Sequence, residues 1–352
     1  MANIYDVARA ARVSVATVSA SVNGTAYVSP ALTARVEAAV KQLGYRPNLV
    51  ARSLATQQSR TIGMIAPNIA NPFWPEVVRG VEDAAQARGY SLLLASGDDD
   101  RDKEARYLNL FLAKRVDGIL LTKAAGGLAA EVAKQLKASR TPVVQLMRSS
   151  TAIDGDTVLT DEPGGSYEAV AHLLRLSYRR IAMINGLPRV STSKRRLSGY
   201  RAALADWKVK YDPTLVVHGN FWIESGYSAG IEVLKRKPQA VFIANYLMAV
   251  GFMRALKQYQ LRCPDDIAIV TCDDHAWLDS FTPRLTTVNL PKYELGREGA
   301  SVLLDRIDEA VRNRVRRRKR RTIVLKTSLC IRESCGYERR AFARGRILKS
   351  EF

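Results

Sequence analysis

Val15-Ala16-Thr17-Val18-Ser19-Ala20-Ser21-Val22-Asn23 is the stretch on which the reading of this chain turns. Val15, Val18 and Val22 recur at helical spacing and can bury one stripe, leaving Ala16, Thr17, Ser19, Ala20 and Asn23 outward. Ser14 precedes the run as an N-cap. Upstream, Asn3 caps an earlier short helix, with Asp6 three residues on in the place of a capping-box acid. Ile4, Val7, Ala8 and Ala11 share a face of that helix, and Arg12-Val13 is a tight break. Downstream, Ser29 caps a third helix with Pro30 at N1, and Leu32, Val36, Ala39, Val40 and Leu43 supply its apolar set. Gly44 ends it. Three short helices with a helix-turn-helix pair in front form a compact unit that can lay its second helix in a DNA major groove. On spacing alone, a small helical cap on a larger enzyme fits equally well.

Beyond this head, Pro47 to Gln58 reads as a linker, because Arg46 before Pro47 is pushed out of helix. Asn48–Ala55 has length for two helical turns, which are marginal alone in water. From Thr61 the pattern alternates. Strands are expected at 61–67, 91–96, 118–122 and 143–147, with helices at 75–88, 102–115 and 128–138 between them. A second set follows, with strands at 180–185, 215–218, 240–244 and 267–272 and helices at 165–176, 194–207, 225–235 and 248–259. A helix at 293–311 and a strand at 322–325 close the pattern. Such alternation implies parallel sheets covered by helices on both faces. Two comparable sets imply two doubly wound lobes, with a ligand cleft beyond the strand C-termini.

Length and composition agree. The chain has 352 residues, enough for two or three domains, and 47% hydrophobic content, ample for a buried core. It has no basic-plus-apolar leader and no long uncharged apolar run, so no membrane role and a cytoplasmic location are expected. Cys263, Cys272, Cys330 and Cys335 lack zinc-type pairing and read as reduced thiols. His172, His218 and His275 fall on separate segments, outside any metal motif. Neither a P-loop nor a dinucleotide fingerprint follows a first strand. No enzyme, cofactor or metal is therefore expected.

The net charge of +20 points to a polyanion partner, but its placement matters. Residues 1–58 hold six Lys/Arg against two acids, whereas 312–352 hold fifteen against three. Most of the surplus lies far along the chain from the head, so it is weak support for a DNA-reading helix. The cluster Arg312–Arg321 reads as a solvated loop. The alternative is a salt-sensitive, non-specific attraction to nucleic acid, which would steepen the dependence of affinity on salt. The tail from 336 to 352 is basic, poor in pattern and expected to be disordered.

Several landmarks resemble the LacI-type (lactose/purine repressor) family of bacterial transcription regulators. In the head they are Tyr5-Asp6-Val7-Ala8, Val13-Ser14, Thr17-Val18-Ser19, Val22-Asn23-Gly24, Val28-Ser29, Gly44-Tyr45-Arg46-Pro47-Asn48 and Val50-Ala51-Arg52-Ser53-Leu54. In the body they include Asn71-Pro72-Phe73, Arg115-Val116-Asp117-Gly118-Ile119, Arg196-Leu197-Ser198-Gly199-Tyr200, Pro264-Asp265-Asp266-Ile267 and Leu285-Thr286-Thr287-Val288. The resemblance covers about residues 2–335.

It implies a helix-turn-helix head at 1–46, a hinge helix at 47–58 and a periplasmic-binding-protein-like body for effector binding and dimerisation at 59–335. Lobe 1 is expected near 59–150 and 291–315, and lobe 2 near 160–290 and 322–335. Crossovers are expected near 148–160, 290–292 and 312–322. The implied partners are double-stranded operator DNA, a sugar or sugar-acid effector, and a second copy in a homodimer or a tetramer. Repression is the implied sign of regulation.

For DNA the resemblance singles out Val15, Ala16 and Ala20 as specificity positions, all small and apolar here. They can touch thymine methyls but make no side-chain hydrogen bonds. Thr17 is a base-contact candidate, while Ser19, Asn23 and Tyr27 suit phosphate or sugar. Arg52 and Leu54 match minor-groove positions, Leu54 as the wedge between base pairs. For the effector it singles out Phe73, Trp74, Asp161, Arg196, Phe221, Asn245 and Asp273. This mix of aromatic faces, one Arg, Asp and Asn suits a polyhydroxylated ring. Tyr246 stands where the family commonly has aspartate, and Val190 offers no polar contact. Lys194 and Arg195 read as a solvated helix start, or alternatively as support for an anionic ligand.

Overall fold

The computed structural model describes residues 2–24, 26–45, 53, 56, 58–312 and 319–337. It divides into a unit ending at Arg60 and a unit beginning at Thr61.

The first unit holds α1 (Ile4–Ala11), α2 (Val15–Asn23) and α3 (Pro30–Leu43). Asn3 Oδ1 accepts the amides of Tyr5 at 2.9 Å and Asp6 at 3.1 Å, and Asp6 Oδ2 accepts the Asn3 amide at 3.0 Å. This reciprocal cap satisfies the orphan donors of the first turn. Arg12 turns the chain in the left-handed region, and Ser14 Oγ then caps α2 by accepting the Thr17 amide at 3.0 Å. Ser29 stands at the N-cap of α3 with Pro30 beside it, but its side chain makes no capping bond. Val7, Ala8, Ala11, Val18, Val36 and Ala39 close a small core, with Val15 and Val22 half-buried against it. The expected hinge segment, with Arg52 and Leu54, lies mostly outside the described residues, as do 313–318 of the arginine cluster and the tail from 338.

The second unit has two six-stranded sheets. The first runs β11-β5-β4-β3-β1-β2. These strands are β1 (Thr61–Ala66), β2 (Ser91–Ser96), β3 (Gly118–Leu121), β4 (Val143–Leu146), β5 (Asp156–Thr160) and β11 (Thr322–Leu325), all parallel. On it pack α4 (Phe73–Ala87), α5 (Arg101–Ala113), α6 (Ala130–Ser139) and α11 (Lys292–Val311). The second sheet runs β12-β10-β9-β8-β6-β7. Its strands are β6 (Ile181–Asn185), β7 (Val216–His218), β8 (Ala240–Ile243), β9 (Ala268–Cys272), β10 (Thr286–Asn289) and β12 (Ser328–Cys330). Here α7 (Glu162–Arg175), α8 (Ser191–Asp206), α9 (Ile223–Leu234) and α10 (Tyr246–Gln258) provide the covering layers. All neighbours are parallel except β12, which runs against β10 at the edge. Strands buried on both faces explain the near-continuous apolar runs such as Ala240–Ile243.

Two expected crossovers move. Residues 156–160, expected in the first crossover, form β5 inside the first sheet, so the chain changes lobe at Asp161. Residues 322–325, expected in lobe 2, pair with β5 as β11, and the change comes at 326–327. The physical reason is a charge lock. Asp156 accepts Arg306 Nε at 2.6 Å, Arg306 Nη2 at 2.9 Å and the Arg321 amide at 2.7 Å, which pins β5 and the edge strand β11 beside it to lobe 1. Arg320, from the described part of the basic cluster, pairs with Asp154 at 2.7 Å. The chain passes from β10 in the second sheet to α11 on the first at 290–291. No helix among the described residues is long and apolar enough to cross a membrane.

Candidate functional site

The cleft lies where both sheets point their strand C-termini, and it encloses about 600 Å³ including its open mouth. From lobe 1 come the turn after β1, the start of α4, the acidic turn after β2 and the end of β4. Phe73 and Trp74 stand there edge to face, their rings 5.2 Å apart. Asn71 Oδ1 accepts the Phe73 amide at 3.0 Å, setting the first turn of α4. Asp98 and Asp99 both adopt left-handed backbone, φ 52° and 55°, which is costly for non-glycine residues and typical of functional turns. Asp99 pairs with Arg148, and Arg148 Nη1 also donates to the Lys123 carbonyl at 2.9 Å.

From lobe 2 come α8, the loop after β7, and the ends of β8 and β9. Phe221 has φ 72° and lays its ring over Gly186, where a Cβ would lie 1.9 Å from the ring. Asn245 secures that loop by donating to the Phe221 carbonyl at 3.0 Å while its Oδ1 caps α10 at the Met248 amide, 3.1 Å. Arg196, 2% exposed, lines the floor. Its Nε and Nη2 lie 2.5 Å and 3.2 Å from the Glu162 carboxylate. Asp273 is 3% exposed, and its Oδ1 is a buried acceptor with no protein hydrogen bond. Burial pushes its carboxyl up to about 6, against the downward pull of Arg196.

Of the expected effector residues, the fold brings Phe73, Trp74, Arg196, Phe221, Asn245 and Asp273 to one cleft. Asp161 is the correction. Its carboxylate caps α7 by accepting the Gly164 amide at 2.9 Å, and it does not line the cavity. Lys194 is exposed, and Arg195 donates to the Thr160 carbonyl away from the cavity. Sequence reasoning missed Asp98, Asp99, Arg148, Thr192, Asn220 and Trp222. Several of these follow a strand C-terminus within a few residues, and that position was the available signal.

In the head, α2 turns Ala16 to solvent, with Thr17, Ser19, Ala20 and Asn23 half-exposed. Thr17 Oγ1 lies 2.9 Å from Ser14 Oγ, and Asn23 Nδ2 donates to Ser19 Oγ at 3.3 Å. Tyr27 is 89% exposed. Val15 spends part of its surface on the head core. Arg35, a cation within reach of this unit's surface, is committed to the α1 C-terminus through the Ala11 carbonyl at 2.6 Å.

Comparison with known proteins decides what such a pairing of units is. The description "Bacterial regulatory proteins, lacI family" matches residues 3–48, and "Periplasmic binding protein-like domain" matches 170–335. The ribose operon repressor of Escherichia coli K12 is 39% identical over 316 residues, spanning 88% of this chain and 94% of that protein. The chain belongs to the LacI family. Among solved structures, a lac repressor dimer bound to operator and the anti-inducer ONPF superposes with a TM-score of 0.81 at 28% identity, covering 95% of this chain and 99% of that one. A CelR regulator–cellobiose complex gives 0.71 at 32% identity, covering 95% and 100%. The LacI-family assignment bears out the expected architecture of helical head and two parallel-sheet lobes. It makes the protein a DNA-binding repressor with an effector domain rather than an enzyme.

Proposed function

We propose that this repressor acts as a homodimer on a pseudo-palindromic operator and that its effector is a neutral sugar held between the lobes. One observation carries the ligand reading. Each arginine lining the cleft is already paired with an acid, Arg148 with Asp99 and Arg196 with Glu162, while Asp273 Oδ1 is a buried acceptor awaiting a donor. Sugar hydroxyls are donors, and Phe73, Trp74 and Phe221 offer apolar faces to a ring. The relatives named for ribose and cellobiose favour the same class. A sugar acid finds no unmatched cation among the described lining residues.

In the head, Ala16, Thr17 and Ala20 meet base edges, with Val15 contributing its free surface, and Ser19, Asn23 and Tyr27 meet the backbone. With so few hydrogen-bonding side chains on α2, recognition leans toward thymine methyls and toward Arg52 and Leu54 in the minor groove. Ligand-driven movement of the lobes changes the order of paired hinge segments at 47–58. A coupling of about 1–3 kcal/mol is enough for a several-fold to hundred-fold response. The test is selection of bound genomic fragments by the full chain, with and without D-ribose, beside a variant lacking residues 1–58. DNA retention must vanish in the truncation while sugar binding persists. Retention of DNA by the truncated chain would refute the assignment of roles.

A further inference from the structure

Glu162 does not line the cleft, yet it sets what the cleft presents. It stands in the first turn of α7 with 1% exposure, 34 residues before the arginine it holds. Two of the three guanidinium nitrogens of Arg196 face its carboxylate, Nε at 2.5 Å and Nη2 at 3.2 Å. The carboxylate is itself anchored from behind by Thr160 Oγ1, which donates to Oε1 at 2.9 Å. Arg195 fixes Thr160 in turn through its carbonyl. Arg196 therefore reaches the cleft as half of a closed, buried ion pair. Only Nη1 is left outside the pair.

We propose that Glu162 is a specificity-determining residue. By cancelling the charge of Arg196 it makes the cleft accept a neutral polyhydroxylated ring and exclude the corresponding carboxylate. This rests on the sugar reading above. An incoming anion would have to leave water for a site whose two arginines are both matched, and it would meet Asp273 as a like charge. Burying charge without a partner is strongly unfavourable, and discrimination built on such repulsion is a common device of specific sites. A neutral sugar keeps one donor, Arg196 Nη1, and one acceptor, Asp273 Oδ1, and loses nothing by the cancellation.

The experiment is isothermal titration of the full chain with D-ribose and D-ribonate, and with D-glucose and D-gluconate. In the wild type the tighter-bound sugar should exceed its aldonate by at least about tenfold in affinity. Glu162→Gln keeps the side-chain volume and a hydrogen bond to Arg196 but leaves the guanidinium charge unmatched. Its aldonate affinity should rise by about tenfold or more, with sugar affinity unchanged or lower. A merely structural role would lower both ligands together, and that result overturns the proposal. Equal wild-type affinity for sugar and aldonate overturns it while leaving the ligand site intact. Binding of neither ligand overturns it together with the sugar reading. Should Glu162→Gln fail to melt cooperatively, Glu162→Asp takes its place. With the charge kept, it must retain the sugar preference, and loss of that preference would also count against the assignment.

Discussion

Lys292 Nζ lies 2.7 Å from Glu76 Oε1 and also donates to the Asp274 carbonyl, so one buried ammonium fastens α4 of the first lobe to the loop after β9 of the second. Lys292 opens α11 directly after the crossover at 290–291, and its side chain is 5% exposed. Removing it strands the Asp274 carbonyl and frees Glu76, which is half in solvent. Lys292→Met should lower stability by about 1–3 kcal/mol, the usual cost of orphaning a buried polar partner. Urea denaturation of the full chain measures this, and an unchanged midpoint would show that the contact contributes nothing.

The same helix pair sets a second prediction. A Cβ on Gly296 would lie 1.9 Å from the Val77 carbonyl oxygen, and one on Gly80 would lie 2.1 Å from that of Tyr293. Here glycine is required by the close approach of two helix backbones. Alanine normally favours a helix over glycine by about 1 kcal/mol, but Gly296→Ala must push α11 off α4 and should destabilise by about 1–3 kcal/mol net. Gly127→Ala, where nothing lies within 4 Å, is the control and should leave the thermal midpoint in place.

Why some of this was readable in the sequence and some was not follows from the range of the forces involved. The head was legible because its punctuation is local. Asn3 with Asp6, Ser14 with Thr17, and the left-handed Gly24 and Gly44 act within a few residues. The apolar strands were legible because parallel sheets buried on both faces leave no other composition. Strands β5, β10 and β12 were not. Asp156-Thr157-Val158-Leu159-Thr160 carries a charge and two threonines, and its place between β4 and β11 depends on partners far along the chain, Arg306 answering Asp156 from 150 residues on. Asp161 was misplaced for a related reason, since an N-cap and a ligand-binding carboxylate look alike in sequence. Glu162 gave no signal, because its meaning depends on Arg196 across a helix–helix contact.

Stability should depend on pH through two buried histidines. His172, with Nε2 3.2 Å from Cys335 Sγ, is held down to about 4 by burial and then by Arg175. Burial, then Lys292, hold His275 at about 4 as well. Between 4 and the ordinary 6.5 the unfolded chain binds these protons and the folded chain does not. Their stabilising contribution is therefore complete above pH 6.5 and is lost as pH falls toward 4. Asp273 works in the opposite sense between 3.8 and about 6, and burial raises the Glu104 carboxyl in the same direction. On going from pH 7 to pH 5 the urea midpoint of His172→Gln should therefore change less toward instability than that of the wild type. An equal slope in wild type and variant would mean that His172 does not control it.

The carboxyl of Asp273 makes ligand binding itself pH-dependent. It stands at the C-terminal end of β9 with left-handed backbone, φ 74°, its amide bonded to the Val288 carbonyl at 3.0 Å and its Oδ1 without a protein donor. With the carboxyl raised to about 6, the group is ionised at pH 7.5 and largely protonated at pH 5. A sugar hydroxyl donating to Oδ1 binds the ionised form best, so D-ribose affinity should be highest above pH 6 and fall below it. Asp273→Asn removes the titration while keeping the side chain's shape. It should bind more weakly at pH 7.5 by about 1.5–3 kcal/mol, the worth of a hydrogen bond to a charged group, and its affinity should be flat with pH. Because Arg196 opposes the upward shift, Glu162→Gln should strengthen that opposition and move the wild-type transition to lower pH. Calorimetric titrations across pH 5–7.5 distinguish the cases, and a wild-type profile unchanged by Asp273→Asn would remove Asp273 from the binding site.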